Sequence, residues 1–193
     1  MGATADGEMW GDQAPTQPVR DRMKLLLEIH QRELQPRERT AEPGELLLAQ
    51  GQPADRVLLL TAGRVAIEVR QLEATPHTLA VVEAEDLLGE MGLFGTGRHS
   101  ADVRAVDGPV RYVEVPGDGF LRTLLFDGDL AMELLTLVCQ RCTRSNEVIG
   151  LLLDGIAAAH RGDRQQLGRI TAAIAPLDHC LGKAADRLEQ LGG

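Results

Sequence analysis

Between residues 37 and 115 the chain breaks into short runs of strand-like character, and this limits the fold more than any other feature. The runs fall at 37–41, 45–49, 57–61, 64–70, 78–82, 100–106 and 110–115. Turn formers separate them: Pro43-Gly44, Gly51, Ala62-Gly63 and Asp107-Gly108-Pro109. Short runs closed by glycine, proline and aspartate read as strands, and an evenly spaced series of them reads as an antiparallel roll or sandwich. Aromatic residues make up only 3% of the chain, so Leu, Val, Ile and Ala must fill the core.

Helical spacing takes over on either side. Val19, Met23, Leu26, Leu27, His30 and Leu34 predict one helix over 18–34, opened by Pro18 and stopped by Pro36. A short helix is expected over 118–126, after which Asp127-Gly128-Asp129 supplies a break and an N-cap for a long helix reaching about residue 158. In that helix Leu135, Val138, Cys142, Ser145, Ile149, Leu152 and Ile156 alternate steps of three and four, the spacing of a coiled-coil seam whose partner is a second copy. A turn with a capping aspartate follows at 160–163. Leu167, Ile170, Ile174, Leu177, Leu181, Ala184, Leu188 and Leu191 then continue in amphipathic steps, with a break at Pro176. The expected organisation is a mobile start at 1–16, a main domain at 17–158 and a helical tail at 159–193, α+β in class.

The chemistry concentrates in residues 87–103, where Gly89, Gly92, Gly95 and Gly97 stand with Glu90, the two cations Arg98 and His99 and the hydroxyl of Ser100 between strand-like segments. Gly89 can take backbone angles closed to other residues. A single helical turn over 90–94 then aims its first amides, including those of Met91 and Gly92, at an incoming anion. Glu90 is placed to accept a ribose hydroxyl, and Arg98, His99 and Ser100 fold back toward the same phosphate. The pattern describes a binding site for a phosphorylated sugar rather than a catalytic centre.

Gly-Glu-x-x-Leu-Phe, a short turn, a basic residue, then Ser-Ala and Val resembles the phosphate-binding cassette of the cyclic-nucleotide-binding domain family, as in catabolite activator-type regulators. The segments 43–51 and 60–67, with Gly44, Gly51 and Gly63, resemble the glycine-marked strands of that family's β-roll. The resemblance implies an antiparallel β-roll of the double-stranded β-helix or jelly-roll type, flanked by an N-terminal helix and a long C-terminal dimerisation helix. It implies a cAMP- or cGMP-type ligand held by Gly89, Glu90, Met91, Gly92, Arg98, His99 and Ser100. It also places Ser145 and Asn146 where the family's central helix meets the base. The family's usual arginine sits directly before the small pair, a position held here by His99; Arg98 stands one residue early, a shift that strand alternation can turn away from the ligand and that the glycines of the turn can compensate. By the same alternation Asp102 shares a face with Ser100.

The net charge of −9 opposes nucleic acid. The family's winged helix-turn-helix needs more chain than follows residue 158, and Arg164, Arg169, Lys183 and Arg187 are offset by Asp163, Asp178, Asp186 and Glu189. The reading is therefore a regulator that does not bind DNA and signals to a protein partner through its C-terminal tail. No run approaches the roughly 18 apolar residues of a membrane span, and the start lacks a signal-peptide pattern. With three cysteines no disulfide framework is expected, and the cytoplasm is the default location. Cys139-x-x-Cys142 lies in an apolar helix, where free cysteine packs as a small hydrophobe, so no metal site is expected. No catalytic constellation stands out and an enzyme is not expected. The rival reading is a dimeric interaction scaffold that keeps the roll and binds no ligand.

Overall fold

The computed structural model describes residues 17–72, 75–84 and 86–174. The expected mobile start at 1–16, the break at Pro176 and the tail beyond it, with Cys180, lie outside the described residues. The described residues divide into two compact units, one up to residue 139 and one from residue 140 on.

The first unit is built on six antiparallel strands: β1 (Arg37–Ala41), β2 (Leu46–Leu48), β3 (Arg56–Val69), β4 (His77–Glu83), β5 (Leu87–Leu88) and β6 (Asp102–Pro116). The order is β1-β6-β3-β4, with β2 on β6 and β5 on β3. Sequence spacing splits β3 and β6 into two strands each, with turns at Ala62-Gly63 and Asp107-Gly108-Pro109. Both instead run through. Gly63 (φ +90°) and Asp107 (φ +62°) bend the strands without ending them. The bends lie opposite each other, since Ala62 pairs with Arg111 and Arg64 with Val106, and the register slips on either side of Ala62. A Cβ on Gly63 would come within 2.7 Å of the Pro109 carbonyl, so the close strand approach requires glycine there. Bulges and hairpins use the same residue types, which is why sequence spacing reads one as the other.

Residues 57–60 are apolar without a break because β3 is buried on both faces. Val57 and Leu59 meet Leu87, Val115, Phe120 and the helices, while Leu58 and Leu60 meet Leu48, Val65, Leu88, Val103 and Val110. The helices are α1 (Gln17–Ile29), α2 (Gln31–Leu34), α3 (Glu90–Phe94), α4 (Gly117–Phe126), α5 (Gly128–Arg161) and α6 (Arg164–Ile174). The single helix expected over 18–34 is thus two, parted at His30, and Gln35 closes the second in a left-handed conformation. The expected cap before the long helix is present. Asp127 Oδ1 accepts from the Leu130 amide at 3.0 Å, and the same carboxylate takes Arg22 Nε at 3.0 Å and Nη2 at 2.9 Å. These bonds and the arginine charge hold Asp127 below the usual carboxylate range. They also tie α1 to the start of α5.

In the second unit α6 turns back along the end of α5. Gly162 (φ +66°) makes the turn, and Asp163 Oδ1 caps α6 through the Gln166 amide at 3.0 Å. Leu167, Ile170 and Ile174 pack with Ala158 and partly buried Leu151, Leu152 and Ala159. Leu152 therefore leaves the expected seam. The exposed apolar positions of α5 are Met132, Leu135, Ile149, Leu153 and Ile156, with Cys139, Cys142 and Asn146 also exposed. The steps of three and four survive, shifted so that Asn146 and not Ser145 falls in the stripe. No described helix is long and apolar enough to cross a membrane.

Candidate functional site

The glycine-rich segment closes on itself through its backbone. Gly89 takes φ +91°, ψ −11°, the left-handed region that lets β5 turn directly into α3. A Cβ there would stand 3.0 Å from the Arg56 carbonyl, 3.2 Å from Leu48 Cδ1 and 3.4 Å from His99 Cε1. Gly92 is pressed as closely, its absent Cβ lying 2.7 Å from the Arg98 carbonyl oxygen. The Gly97 amide donates to the Gly92 carbonyl at 3.0 Å. Residues 51–54 then pair with 97–99: the Ala54 amide donates to Gly97, that of Gly51 to His99, and that of His99 to Gln52.

This frame sets each expected site residue. Glu90, the first residue of α3, is 1% exposed, a buried carboxylate directly after the left-handed glycine. Gly92 is buried, whereas Met91 is 44% exposed and offers the site its backbone alone. Arg98, expected to hold the phosphate, is exposed, and its Nη1 donates to the Gly51 carbonyl at 2.7 Å. Ser100 is exposed. Ser145 and Asn146 are exposed residues of α5 in the second unit.

His99 is turned inward, 5% exposed, with Nε2 buried and without a hydrogen-bond partner. Burial, and then the nearby Arg56 charge, push its pKa below the ordinary histidine value; Asp55 opposes this. The shift favours the neutral ring. A buried polar atom left unpaired costs about 1–3 kcal/mol. His99 also lines a hollow of about 290 Å³ with residues 46–49, Gln52, Pro53, Asp55 and Arg56.

The arginines around the cassette are committed. Arg56 Nη1 reaches Glu114 Oε2 at 3.3 Å and its Nε lies 3.1 Å from Asp55 Oδ1. Arg104 Nε reaches Glu68 at 3.2 Å and its Nη1 donates to the Gly44 carbonyl. Arg70 Nη2 sits 2.7 Å from Asp102 Oδ2, and Asp102 Oδ1 accepts the Gln50 amide at 2.7 Å. Asp102, which alternation alone sets beside Ser100, thus has its charge answered from the end of β3. Sequence reasoning missed Arg70, since nothing in the spacing joins residues 70 and 102. Among the described residues no cluster of three or more histidine, cysteine or acidic side chains could hold a metal.

Known proteins carry the same frame. Residues 38–125 match the family model of the cyclic nucleotide-binding domain. The CRP-like cAMP-activated global transcriptional regulator of Mycobacterium tuberculosis is 24% identical over 110 residues, 57% of this chain and 49% of that protein. The cAMP-activated global transcriptional regulator CRP of Salmonella typhimurium is 28% identical over 107 residues, 55% of this chain and 50% of that one. The chain spans about half the length of the curated relatives it matches. Among solved structures, the Thermus thermophilus catabolite activator protein aligns with a TM-score of 0.62 at 19% identity, covering 89% of this chain and 84% of its own. The sensor domain of the regulator DNR from Pseudomonas aeruginosa gives 0.54 at 22%, covering 68% and 95%. At these identities the structural likeness establishes the fold.

Proposed function

Residues 38–125 belong to the cyclic nucleotide-binding domain family, and from that premise we propose that this protein is a sensor of a 3′,5′-cyclic nucleotide such as cAMP or cGMP. The reading has Glu90 accept the ribose hydroxyl, the Gly89, Met91 and Gly92 backbone and Ser100 receive the phosphate, and His99 supply its inward-facing cation. Arg98 acts one step back, bracing residues 97–99 against Gly51. The observation that carries it is a carboxylate 1% exposed at the first position of α3, immediately after a left-handed glycine, within the matched segment. A buried acid held beside first-turn amides suits a ligand that brings hydroxyl and anion together.

Two copies then join along α5 through the exposed stripe from Met132 to Ile156, with Ser145 or Asn146 meeting the base. The output passes through the C-terminal helices to a protein partner in the cytoplasm. A net charge of −9 supports a protein rather than DNA as that partner. The role is regulatory rather than enzymatic.

Calorimetric titration with cAMP, cGMP and cyclic dinucleotides tests the ligand. One of them should bind, and Glu90→Ala should weaken it about 10- to 100-fold, the worth of a charge-assisted hydrogen bond. Silence with all of them leaves only a ligand-free scaffold. Sedimentation of the same sample should give twice the 20.9 kDa chain mass; a monomer at micromolar concentration refutes the helix pairing.

A further inference from the structure

A phosphodiester entering this cassette carries a negative charge to a place that already holds the buried Glu90. Each arginine around it is engaged: Arg98 by Gly51, Arg70 by Asp102, Arg56 by Glu114 and Asp55, and Arg104 by Glu68 and Gly44. His99 is the remaining group whose charge is not fixed. Its Nε2 is buried and unpartnered, and its Cε1 edge packs against Gly89, where β5 turns into α3. The charged groups that act on it are Arg56, the first residue of β3, and Asp55 just before it; Glu90 opens α3 directly after Gly89. β2 (Leu46–Leu48) brings only apolar side chains.

We propose that His99 takes up a proton when an anionic ligand enters the cassette, so that ligand affinity is set by pH. The inference rests on the nucleotide reading above and adds regulation to the same site. In the free protein burial and Arg56 disfavour the imidazolium, with Asp55 opposing them; in the complex the ligand's phosphate adds a further negative charge beside the ring. The bound form therefore has the higher pKa. Affinity is then greatest in acid. It falls as pH rises from the free-state pKa, below about 6.5, to the bound-state pKa, and levels off beyond it. A fixed arginine gives no such slope, which makes histidine here a specific device and not a weaker substitute.

The test is calorimetry of the full chain with cAMP and cGMP between pH 5.5 and 8.5, in pairs of buffers that differ in ionisation heat. Expected is an uptake approaching one proton per ligand near the middle of the window, and affinity falling by as much as about tenfold per pH unit there. His99→Gln, which keeps a polar side chain without the titration, should remove the uptake and flatten the profile. Ligand heat with no proton uptake overturns the proposal and leaves the nucleotide reading standing, as does uptake that persists in His99→Gln. Absence of heat at every pH sinks both.

Discussion

Asp102 and His99 stand at the two ends of one short segment, both almost wholly buried, and their surroundings treat them in opposite ways. Asp102 is 3% exposed and receives the Gln50 amide on one oxygen and the Arg70 guanidinium on the other. His99 is 5% exposed, and its Nε2 receives nothing. The Arg22–Asp127 junction follows the Asp102 pattern, with one carboxylate taking two guanidinium nitrogens and a helix-capping amide. Asp102 and Asp127 have their charges answered by hydrogen-bonded partners; beside the cassette His99 Nε2, and Arg56 Nε on the same hollow, are buried without a hydrogen bond. Burial of a polar group without a partner is unfavourable, so the contrast marks the segment around His99 as shaped for something other than stability.

The largest expected effect that sharpens this contrast is at Asp102. Asp102→Ala leaves the Gln50 amide without its acceptor and Arg70 without its counter-charge. Arg70, with its side chain 49% exposed, recovers water, so the loss is chiefly that of the buried bond to a charged group, about 2–3 kcal/mol. The midpoint of urea unfolding should fall with the slope unchanged. A change below about 0.5 kcal/mol breaks the comparison, because Asp102 would then be no more a structural group than His99.

How much of this was legible in advance depends on the range of the interaction. β1 falls over residues 37–41 as the spacing of Pro36 and Pro43-Gly44 allows, and Asp127 and Asp163 cap the helices that follow them, because caps and strand ends are local events. The outward place of Arg98 was left open, because alternation turns it away while the glycines before it loosen the register. The bends at Gly63 and Asp107 were read as turns, since the residues that permit a hairpin also permit a bulge and only the partner strand decides. The Asp102–Arg70 pair and the place of Leu152 under α6 were not legible at all. Both depend on residues brought together by tertiary packing, as does the isolation of His99 Nε2.

The smallest effect, and the one that separates the two residues most sharply, is the pH dependence of stability in the free protein. The folded pKa of His99 lies below the ordinary value of about 6.5. Between those two values the unfolded chain binds a proton that the folded chain refuses, so stability is complete above about pH 6.5 and declines as pH falls toward the folded pKa. The decline attributable to this one group cannot exceed about 1.4 kcal/mol per pH unit. It should appear as the difference between the parent and His99→Gln in thermal unfolding at pH 8 and pH 5.5: near zero at the first, with the parent the weaker at the second. Subtracting the variant removes the carboxylates and the other histidines from the comparison. With saturating cyclic nucleotide the loss in acid should shrink, since the bound pKa lies above that of the free folded protein. A parent and variant that stay parallel in both conditions would mean that the open nitrogen is a packing accident, and that Asp102 and His99 differ only in whether a partner happened to lie within reach.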